Sequence, residues 1–431
     1  MSAESTEFAT EPVPDSNTVG WFRVALVAAM VAFSLPTFLT GLEVSLVTSA
    51  QRTAQALLAG AVILTVIGCL TASIGARTRL SSYMLNRIAF GSQGAALVNL
   101  AFALSLLGWF GVNIDLFSGA AQRLAADLFG YTLAAWPIEL FAGVVMTVTT
   151  VFGFRAINIL SMLLVPILVA VTGLLIAGSL EVRPIAEIMS AHKDNELAFG
   201  DAVSSVVGAV IIGAVILPDI TRFIRHWHGA IYVVVIAYLF IDFIVTSAGG
   251  LAAAALGDGD LLNIMITIGL GWAAFAIIIC GSWVLNSLNL YSTMLSVEST
   301  APSLNNRLVV AVLGSLGTLA AFLNILDHFL TFLFYLAIVF VPVAGVIAVD
   351  YLFLRRSAYH DDRLDLQSKI RPKAIIAWAG GACIALLGSA GWVQISSIAA
   401  IDAMLVAALA YYLLARFGTD RSTHMAAKVN E

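Results

Sequence analysis

Charged residues are scarce in this chain, and their scarcity excludes an ordinary soluble protein. Asp, Glu, Lys and Arg make up 11% of its 431 residues, whereas 60% are hydrophobic, and the mean hydropathy is +0.98. A soluble domain keeps charged residues near a quarter of its sequence because water must wet its surface. The net charge of −5 indicates little about partners, since the placement of charge matters more than its sum in a membrane protein. We therefore expect one membrane-embedded domain.

Cysteines and catalytic motifs are also few. Cys69, Cys280 and Cys383 lie far apart inside apolar runs, so they form no CxxC motif and are typical of small buried residues. The sequence has no GxxxxGK[ST] phosphate loop and no HExxH motif. Its polar start and long first apolar run are unlike a cleavable signal peptide. We expect no enzymatic activity, no cofactor other than a coupling cation, no metal site and no nucleic-acid partner.

Long apolar runs dominate what remains. A helical span needs about 20 predominantly apolar residues, whereas a membrane strand would need about ten of alternating polarity. The sequence therefore predicts an all-α polytopic membrane protein with about 12 transmembrane helices. The predicted spans, numbered 1 to 12, are 22–47, 53–76, 93–122, 131–153, 156–180, 198–221, 229–256, 264–295, 307–326, 328–354, 373–393 and 395–416.

Basic residues segregate when the spans are counted this way. If the N-terminus is cytoplasmic, the outer face keeps only four of the 21 Lys and Arg residues: Arg52, Arg123, Arg183 and Lys193. Cytoplasmic loops normally carry such an excess because basic residues resist translocation. The pattern predicts a multi-pass protein of the inner or plasma membrane with both termini cytoplasmic.

The spans divide the chain into five segments. We expect a cytoplasmic tail at 1–21, a transporter core at 22–354, a basic cytoplasmic loop at 355–372, two accessory helices at 373–416 and a second cytoplasmic tail at 417–431. No polar module that could hydrolyse a nucleotide separates them. A gradient-driven carrier of small molecules is the class that remains.

Spans 1 and 6 both contain helix-breaking residues. Pro36 removes a backbone donor and clashes with the preceding turn, so span 1 is expected to break near Ser34–Pro36. Span 6 carries Gly208 and Gly213 and ends near Pro218, and we place its break near 208–213. Transporters of the inverted-repeat type bind substrate where two such helices are interrupted. The alternative is that Gly and Pro are simply common in membrane helices.

Polar and aromatic residues interrupt spans 3 and 8. Trp109, near the middle of span 3, offers a stacking face, although a tryptophan can also belong to an interfacial aromatic belt. Asn286 and Asn289 share one helical face, and an amide pairs well with the edge of a heterocyclic base. Asparagine in membranes also makes interhelical hydrogen bonds. Both interpretations remain open for each residue.

Acidic residues within spans are candidates for ion coupling because ionisable groups at depth are costly. Glu43, Asp115 and Asp201 are the candidates, although each could lie near a helix end that water reaches. Asp219 and Arg222 are expected to form a structural pair at the end of span 6 instead.

Six short motifs, in order along the chain, resemble those of the nucleobase–cation symporters, and within them the cytosine and purine permeases. The third-span motif matches residue for residue, and the loop between spans 2 and 3 has the RxxFGxxG core. The motifs are Pro12–Pro14, Gly75–Thr78, Arg87–Gly94, Gly108–Val112, Pro218–Phe223 and Gly345–Leu352.

The resemblance implies a leucine-transporter-like five-plus-five inverted repeat with broken helices 1 and 6, and a flat substrate stacked on aromatic rings. It implies import of cytosine, a purine or a related flat heterocycle across the lipid bilayer by H+ or Na+ symport. We expect the protein to be a monomer. Phe33 matches a first-helix aromatic of the family's site, 208–212 would supply backbone contacts, and Asn286 would face the pocket. Our candidate substrate-binding residues are Phe33, Ser34, Ser105, Trp109, Asn113, Gly208, Ala209, Ile212, Asn286 and Asn289.

Departures from the family pattern bear on cargo and coupling. Leu106 replaces a glutamine, and Ala209, Val210 and Ile212 replace polar and aromatic residues. The helix-eight hydroxyl pair that helps bind sodium falls on Val284 and Leu285, which supply no oxygen, and hard cations take oxygen ligands.

Proton coupling is therefore an alternative to sodium coupling, and Ser282 and Ser287 are the remaining hydroxyls near the expected sodium site. Other possible cargoes are a hydroxymethylpyrimidine, hydantoin or allantoin. A membrane sensor that no longer transports is the alternative from another class.

Overall fold

The computed structural model describes residues 8, 11–151, 154–191, 193–194, 196–272, 281–301, 303–323, 328–360, 368–393 and 395–417. Within these ranges the regular structure is helical, apart from one isolated bridge between Val19 and Ile224. The predicted all-α architecture is confirmed.

Helices occupy the positions of all twelve predicted spans. Their bounds are Trp21–Ala32 with Leu35–Val47 (span 1), Ala50–Thr78 (2), Ser92–Phe129 (3), Ala135–Val151 (4), Phe154–Val182 (5), Phe199–Val215 with Pro218–Thr221 (6), His228–Leu256 (7), Ser282–Thr300 (8), Asn306–Ala320 (9), Phe329–Val349 (10), Pro372–Ser389 (11) and Ala399–Phe417 (12). By length and composition, eight of the described helices could each cross a membrane, and the bent pair of span 1 makes a ninth.

Span 8 begins later than the sequence predicts. Leu261–Thr267 is a separate short helix, and Gly269 then turns the chain with a φ of +79°, a conformation that glycine adopts without strain. The prediction of one helix from 264 is therefore wrong at its start. Residues 273–280 of that span lie outside the described residues.

Spans 1 and 6 are both interrupted, but only one break lies where we predicted it. Span 1 stops at Ala32, resumes at Leu35 and bends by 47°. Span 6 is regular through 208–213 and breaks at Ile216 and Leu217, just before Pro218. The break near Gly208–Gly213 was misplaced because Gly208 serves close packing instead. A Cβ at Gly208 would lie 1.7 Å from the main-chain oxygen of Leu333 on span 10.

The packing of the first ten spans repeats with a period of five. Span 1 packs on spans 5 and 7, and span 6 packs on spans 10 and 2, which are their counterparts five positions along. Span 3 packs on span 8, and span 4 on span 9, so each meets its own counterpart. This pattern is what an inverted five-plus-five repeat requires.

Glycines bring the helices of the core into backbone contact. A Cβ at Gly41 of span 1 would lie 1.7 Å from the oxygen of Thr246 on span 7. Conversely, a Cβ at Gly249 of span 7 would lie 2.0 Å from the oxygen of Phe38. Small residues at membrane helix interfaces allow such approaches. The second half of span 1, Leu35–Val47, is thereby fixed on span 7.

Candidate functional site

A cavity of about 80 Å³ lies between the two interrupted helices. One water molecule needs roughly 10–15 Å³ of such space, so the cavity has room for a small ligand of several heavy atoms. Spans 1, 3, 6, 7 and 8 all contribute to its wall. Among the predicted substrate-binding residues, Ser34, Trp109, Ala209, Ile212 and Asn289 line it.

The break in span 1 supplies polar groups to this cavity. Ser34 is extended, with φ −88° and ψ 153°, because it precedes a new helix that has Pro36 in its first turn. Its hydroxyl lies 3.0 Å from the hydroxyl of Thr37, which also lines the cavity. The N-terminus of a helix carries a partial positive charge and unpaired N–H groups. The site can therefore donate hydrogen bonds to an electronegative edge of a ligand.

Trp109 forms a flat, buried wall on span 3. Its side chain is 6% exposed, and the rings of Phe329 and Phe332 on span 10 meet it edge-on, with centroids 6.1 and 5.4 Å away. Edge-to-face pairs hold aromatic rings in place. A planar ligand stacked on Trp109 would meet a ring whose orientation is already set.

The cavity end near the break in span 6 carries a carboxylate. Asp219 lines the cavity, and its Oδ1 accepts hydrogen bonds from the backbone N–H and the hydroxyl of Ser82, both at 2.8 Å. No described group hydrogen-bonds its buried Oδ2. Arg222 donates from Nε to the main-chain oxygen of Asp219 at 3.1 Å. Asp219 therefore links the cavity to the short helix Ser82–Phe90.

Five predicted substrate-binding residues do not line this cavity. Phe33 and Gly208 are packed inside the protein, and Ser105 is half-buried on span 3. Asn113 donates to the oxygen of Trp109, one turn earlier on the same helix, at 2.7 Å. Asn286 donates from Nδ2 to the oxygen of Phe110 at 2.9 Å.

Residues that depart from the family pattern make the cavity apolar. Leu106 of span 3 and Leu285 of span 8 line it, as do Ala209, Val210 and Ile212 of span 6. Val284 is buried, with 1% of its surface exposed, and does not reach the cavity. The wall thus combines the aromatic side chains of Trp109 and Tyr238 and a few polar groups with aliphatic side chains.

Several cavity residues were not predicted as site residues, although one had a detectable signal. Thr37 lies one turn from Ser34 beside the proline that marks the break, so its position could have been inferred. Tyr238 and Ser292 line the cavity from spans 7 and 8. Nothing in a single sequence distinguishes them from packing residues.

A second cavity, of about 310 Å³, lies toward the face that carries Arg123 and Asp260. Glu43 and Asp115, two predicted coupling residues, both line it. Phe329 lines this cavity as well and also contacts the ring of Trp109, so its side chain separates the two cavities at this point.

The remaining coupling candidates lie elsewhere. Asp201 is half-buried in the first turn of span 6 and lines neither cavity. The hydroxyls of Ser282 and Ser287 are buried, with no hydrogen bond to a described group. Ser282 follows Gly281, where a Cβ would lie 3.5 Å from the oxygen of Phe33 at the break in span 1.

Residues in or near the family motifs, at the ends of spans 2, 6 and 10, make hydrogen bonds between different elements. Tyr83 donates to the oxygen of Ser292 on span 8 at 2.7 Å, and Arg79 donates to the oxygen of Arg222 at 3.2 Å. Asp350, at the end of span 10, accepts hydrogen bonds from Tyr359 and Tyr411, both at 2.7 Å. Burial, and then the Asp350 carboxylate, raise the pKa of Tyr359, which keeps this hydroxyl a donor.

Comparisons with known proteins agree with this architecture. The model of a family described as permease for cytosine/purines, uracil, thiamine, allantoin matches residues 12–414. The cytosine permease of Escherichia coli is 28% identical over 420 residues, which cover 96% of this chain and 95% of that protein. The hydantoin permease of Microbacterium maritypicum is 25% identical over 406 residues, covering 86% and 79%.

Solved structures show the same fold. A nucleobase-cation-symport-1 family transporter in a closed conformation, with bromovinylhydantoin bound, superposes with a TM-score of 0.79 at 20% identity, covering 97% of this chain and 95% of that one. An inward-facing structure of that transporter gives 0.80 at 18% identity, covering 97% and 93%. The leucine-transporter-like repeat with broken helices 1 and 6 is confirmed. The chain belongs to the cytosine/purine permease family and is a multi-pass membrane transporter, not an enzyme.

Proposed function

We propose that this permease-family chain imports a nucleobase, cytosine or a purine, or a related flat heterocycle, by cation symport with alternating access. One observation carries the proposal: the flat face of Trp109 and the polar groups of Ser34, Thr37 and Asn289 meet in one cavity at the helix breaks. A planar ring stacked on Trp109 could present its polar edge to these groups.

A heterocycle that carries an apolar substituent, such as benzylhydantoin, is the second candidate. The aliphatic side chains of Leu106, Val210, Ile212 and Leu285 surround much of the cavity. They can pack against an apolar substituent, whereas hydrogen-bonding groups of a bare base that face them would stay unpaired. Leaving a buried polar group unpaired costs about 1–3 kcal/mol. A relative of this chain is a hydantoin permease, and that likeness supports the same alternative.

Uptake of labelled compounds tests the proposal directly. Cells lacking their own permeases would express the protein and be offered cytosine, adenine, hypoxanthine, allantoin and benzylhydantoin. We expect saturable uptake of at least one base. Uptake of the hydantoin alone would favour the second candidate. A surface-expressed protein that takes up none of the compounds would support the sensor alternative.

The variant Leu106→Gln helps to distinguish between a bare nucleobase and a hydantoin as the transported substrate. The variant places an amide in the cavity wall where cytosine permeases carry glutamine, so it should raise the affinity for cytosine roughly tenfold if a base stacks on Trp109. Leu288→Gln, which also adds an amide to the lining, is the matched control. Equal effects of the two variants would show that general polarity, not a position beside Trp109, governs the change.

The orientation and the coupling ion belong to the same proposal. We propose an inner-membrane monomer with cytoplasmic termini, supported by the segregation of basic residues. Arg52 pairs with Glu196, and Arg123 pairs with Asp260, which lie in other loops of the face assigned as external. Reporter fusions after 193 and after 417 test the sidedness.

For the cation, Val284 and Leu285 supply no side-chain oxygen, which favours H+, with Glu43 and Asp115 in the second cavity as proton carriers. The carbonyl of Phe33 near Gly281, beside the hydroxyl of Ser282, is the observation that favours Na+.

A further inference from the structure

A groove on the lipid-facing side of span 2 has no part in the proposed transport site. It encloses about 470 Å³ and follows one face of the helix from Thr65 to Arg77. Twelve residues of helix rise about 18 Å, which is slightly more than half of the roughly 30 Å hydrocarbon core. The groove therefore has the length of one leaflet.

The two ends of the groove differ in character. The end near Thr65 is apolar: Val66, which is 54% exposed, and Leu70 line it. The other end carries two guanidinium groups, those of Arg77 and Arg356, where spans 2 and 10 end. This combination matches a molecule with a hydrocarbon chain and an anionic head.

The basic end is organised by aromatic rings. The guanidinium carbon of Arg77 lies 3.6 Å from the centre of the Trp227 ring, and that of Arg356 lies 5.6 Å from the centre of the Tyr351 ring. Arginine stacked on an aromatic ring is held in place while its N–H groups remain free to bind an anion. Within the described part of the chain, neither arginine forms an ion pair with a carboxylate.

Tyr351 provides an independent indication of a ligand. Its side chain is 2% exposed and lines the groove, yet its buried hydroxyl has no hydrogen-bond partner among the described residues. Buried polar groups in native proteins are nearly always hydrogen-bonded. A phosphate oxygen held by the arginines could accept this hydrogen bond.

We propose that the groove binds one anionic phospholipid, with its phosphodiester on Arg77, Arg356 and Tyr351 and an acyl chain along span 2. Basic pockets between membrane helices bind anionic headgroups in this way. The lipid would join the ends of spans 2 and 10 and the start of span 7 through Trp227. The proposal does not depend on the identity of the transported substrate.

Native mass spectrometry of the delipidated, full-length protein tests it. Phosphatidylglycerol and phosphatidylcholine with identical palmitoyl and oleoyl chains would be titrated separately. We expect one phosphatidylglycerol to bind more tightly than any phosphatidylcholine. The double variant Arg77→Ala/Arg356→Ala should weaken that binding about 25-fold, since an arginine near an anionic surface contributes about fivefold.

The matched control removes the same charge elsewhere. Arg307 is exposed at the start of span 9 and Arg416 lies near the end of span 12, and neither lines the groove. Arg307→Ala/Arg416→Ala should leave phosphatidylglycerol binding unchanged. An equal loss in both double variants would reduce the effect to overall charge and overturn the proposal, as would equal binding of the two lipids.

Two further measurements test the contact with Tyr351 and distinguish a lipid headgroup from free phosphate. Tyr351→Phe removes only one oxygen, so it should fold even if the double variant does not, and a several-fold loss of lipid is expected. Unchanged binding in Tyr351→Phe and in Arg356→Ala alone would contradict the site. Inorganic phosphate added in excess should not displace the lipid; displacement would identify the groove as a site for free phosphate.

Discussion

The amide of Asn286 donates a hydrogen bond to the main-chain oxygen of Phe110 at 2.9 Å and so joins span 8 to span 3. Its Oδ1 is buried and has no partner among the described residues. Asn289, three residues later on the same helical face, lines the cavity instead. The two asparagines therefore divide the roles that the sequence assigned to both.

Replacing these asparagines should separate stability from binding. Asn286→Ala removes the hydrogen bond that joins span 8 to span 3, and the net loss of one such bond costs about 0.5–1.5 kcal/mol. We expect a lower thermal midpoint for the purified protein. Asn289→Ala should keep the midpoint and lower substrate affinity, measured by competition binding. The opposite assignment, with Asn289→Ala unstable and Asn286→Ala only weak in binding, would contradict the placement of both residues.

Trp109→Ala should abolish most substrate affinity while expression is retained. Stacking a base on an aromatic ring contributes about 1–3 kcal/mol in nucleic-acid-binding proteins, so a loss of about 5- to 150-fold is expected. Equilibrium binding to purified protein provides the measurement.

A second tryptophan serves as the control for Trp109. Trp283 of span 8 donates to the hydroxyl of Thr149 at 2.9 Å and does not line the cavity. Trp283→Ala should lower the thermal midpoint and leave affinity within about twofold. If Trp109→Ala keeps its affinity, Trp109 is a packing residue.

The sequence predicted the break in span 1 but not its counterpart, and the reason is physical. Proline at 36 cannot continue a helix, so its effect is local and readable. Glycine permits either a break or a close approach, and a single sequence does not say which. At Gly208 the main-chain oxygen of Leu333 leaves no room for a side chain, so this glycine allows spans 6 and 10 to approach closely. Leu333 lies more than a hundred positions away in the sequence.

The lining of the cavity likewise depends on contacts between spans that a single sequence does not predict. Helical spacing placed Asn286 and Asn289 on one face, which the structure bears out, but only tertiary packing shows which of them meets the carbonyl of Phe110. Tyr238 joins the cavity because span 7 lies against span 1, an arrangement that the apolar pattern of span 7 does not encode. Count, type and order of elements were readable, whereas contacts between spans were not.

Gly208→Ala should destabilise the protein. The added methyl group would lie 1.7 Å from the Leu333 oxygen, so spans 6 and 10 must separate. Overpacking of this kind costs about 1–3 kcal/mol. We expect reduced expression and a lower thermal midpoint. Gly213→Ala is the matched control, since its methyl group would have no neighbour closer than 3.4 Å. Equal midpoints for the two variants would refute the packing role of Gly208.

Ion coupling is decided by uptake measured with sodium replaced by choline, at two external pH values. Val284 and Leu285, at the helix-eight positions where the family resemblance places sodium-binding hydroxyls, supply no side-chain oxygen. Hard cations take oxygen ligands, so this replacement favours coupling to H+. We expect uptake to persist in choline and to rise several-fold at the lower pH. Glu43→Gln and Asp115→Asn, in the second cavity, should weaken this pH response, whereas Asp201→Asn, which lines neither cavity, should preserve it.

Ser282→Ala is the variant that distinguishes the two ions. Its hydroxyl is buried without a described partner, beside the glycine that faces the Phe33 oxygen, so it is the side chain best placed to complete a sodium site. Under proton coupling the variant should transport at the wild-type rate, because no cation depends on that oxygen. Uptake that collapses in choline, ignores pH and is lost in Ser282→Ala would establish sodium coupling through Ser282 and the carbonyls of the broken helix.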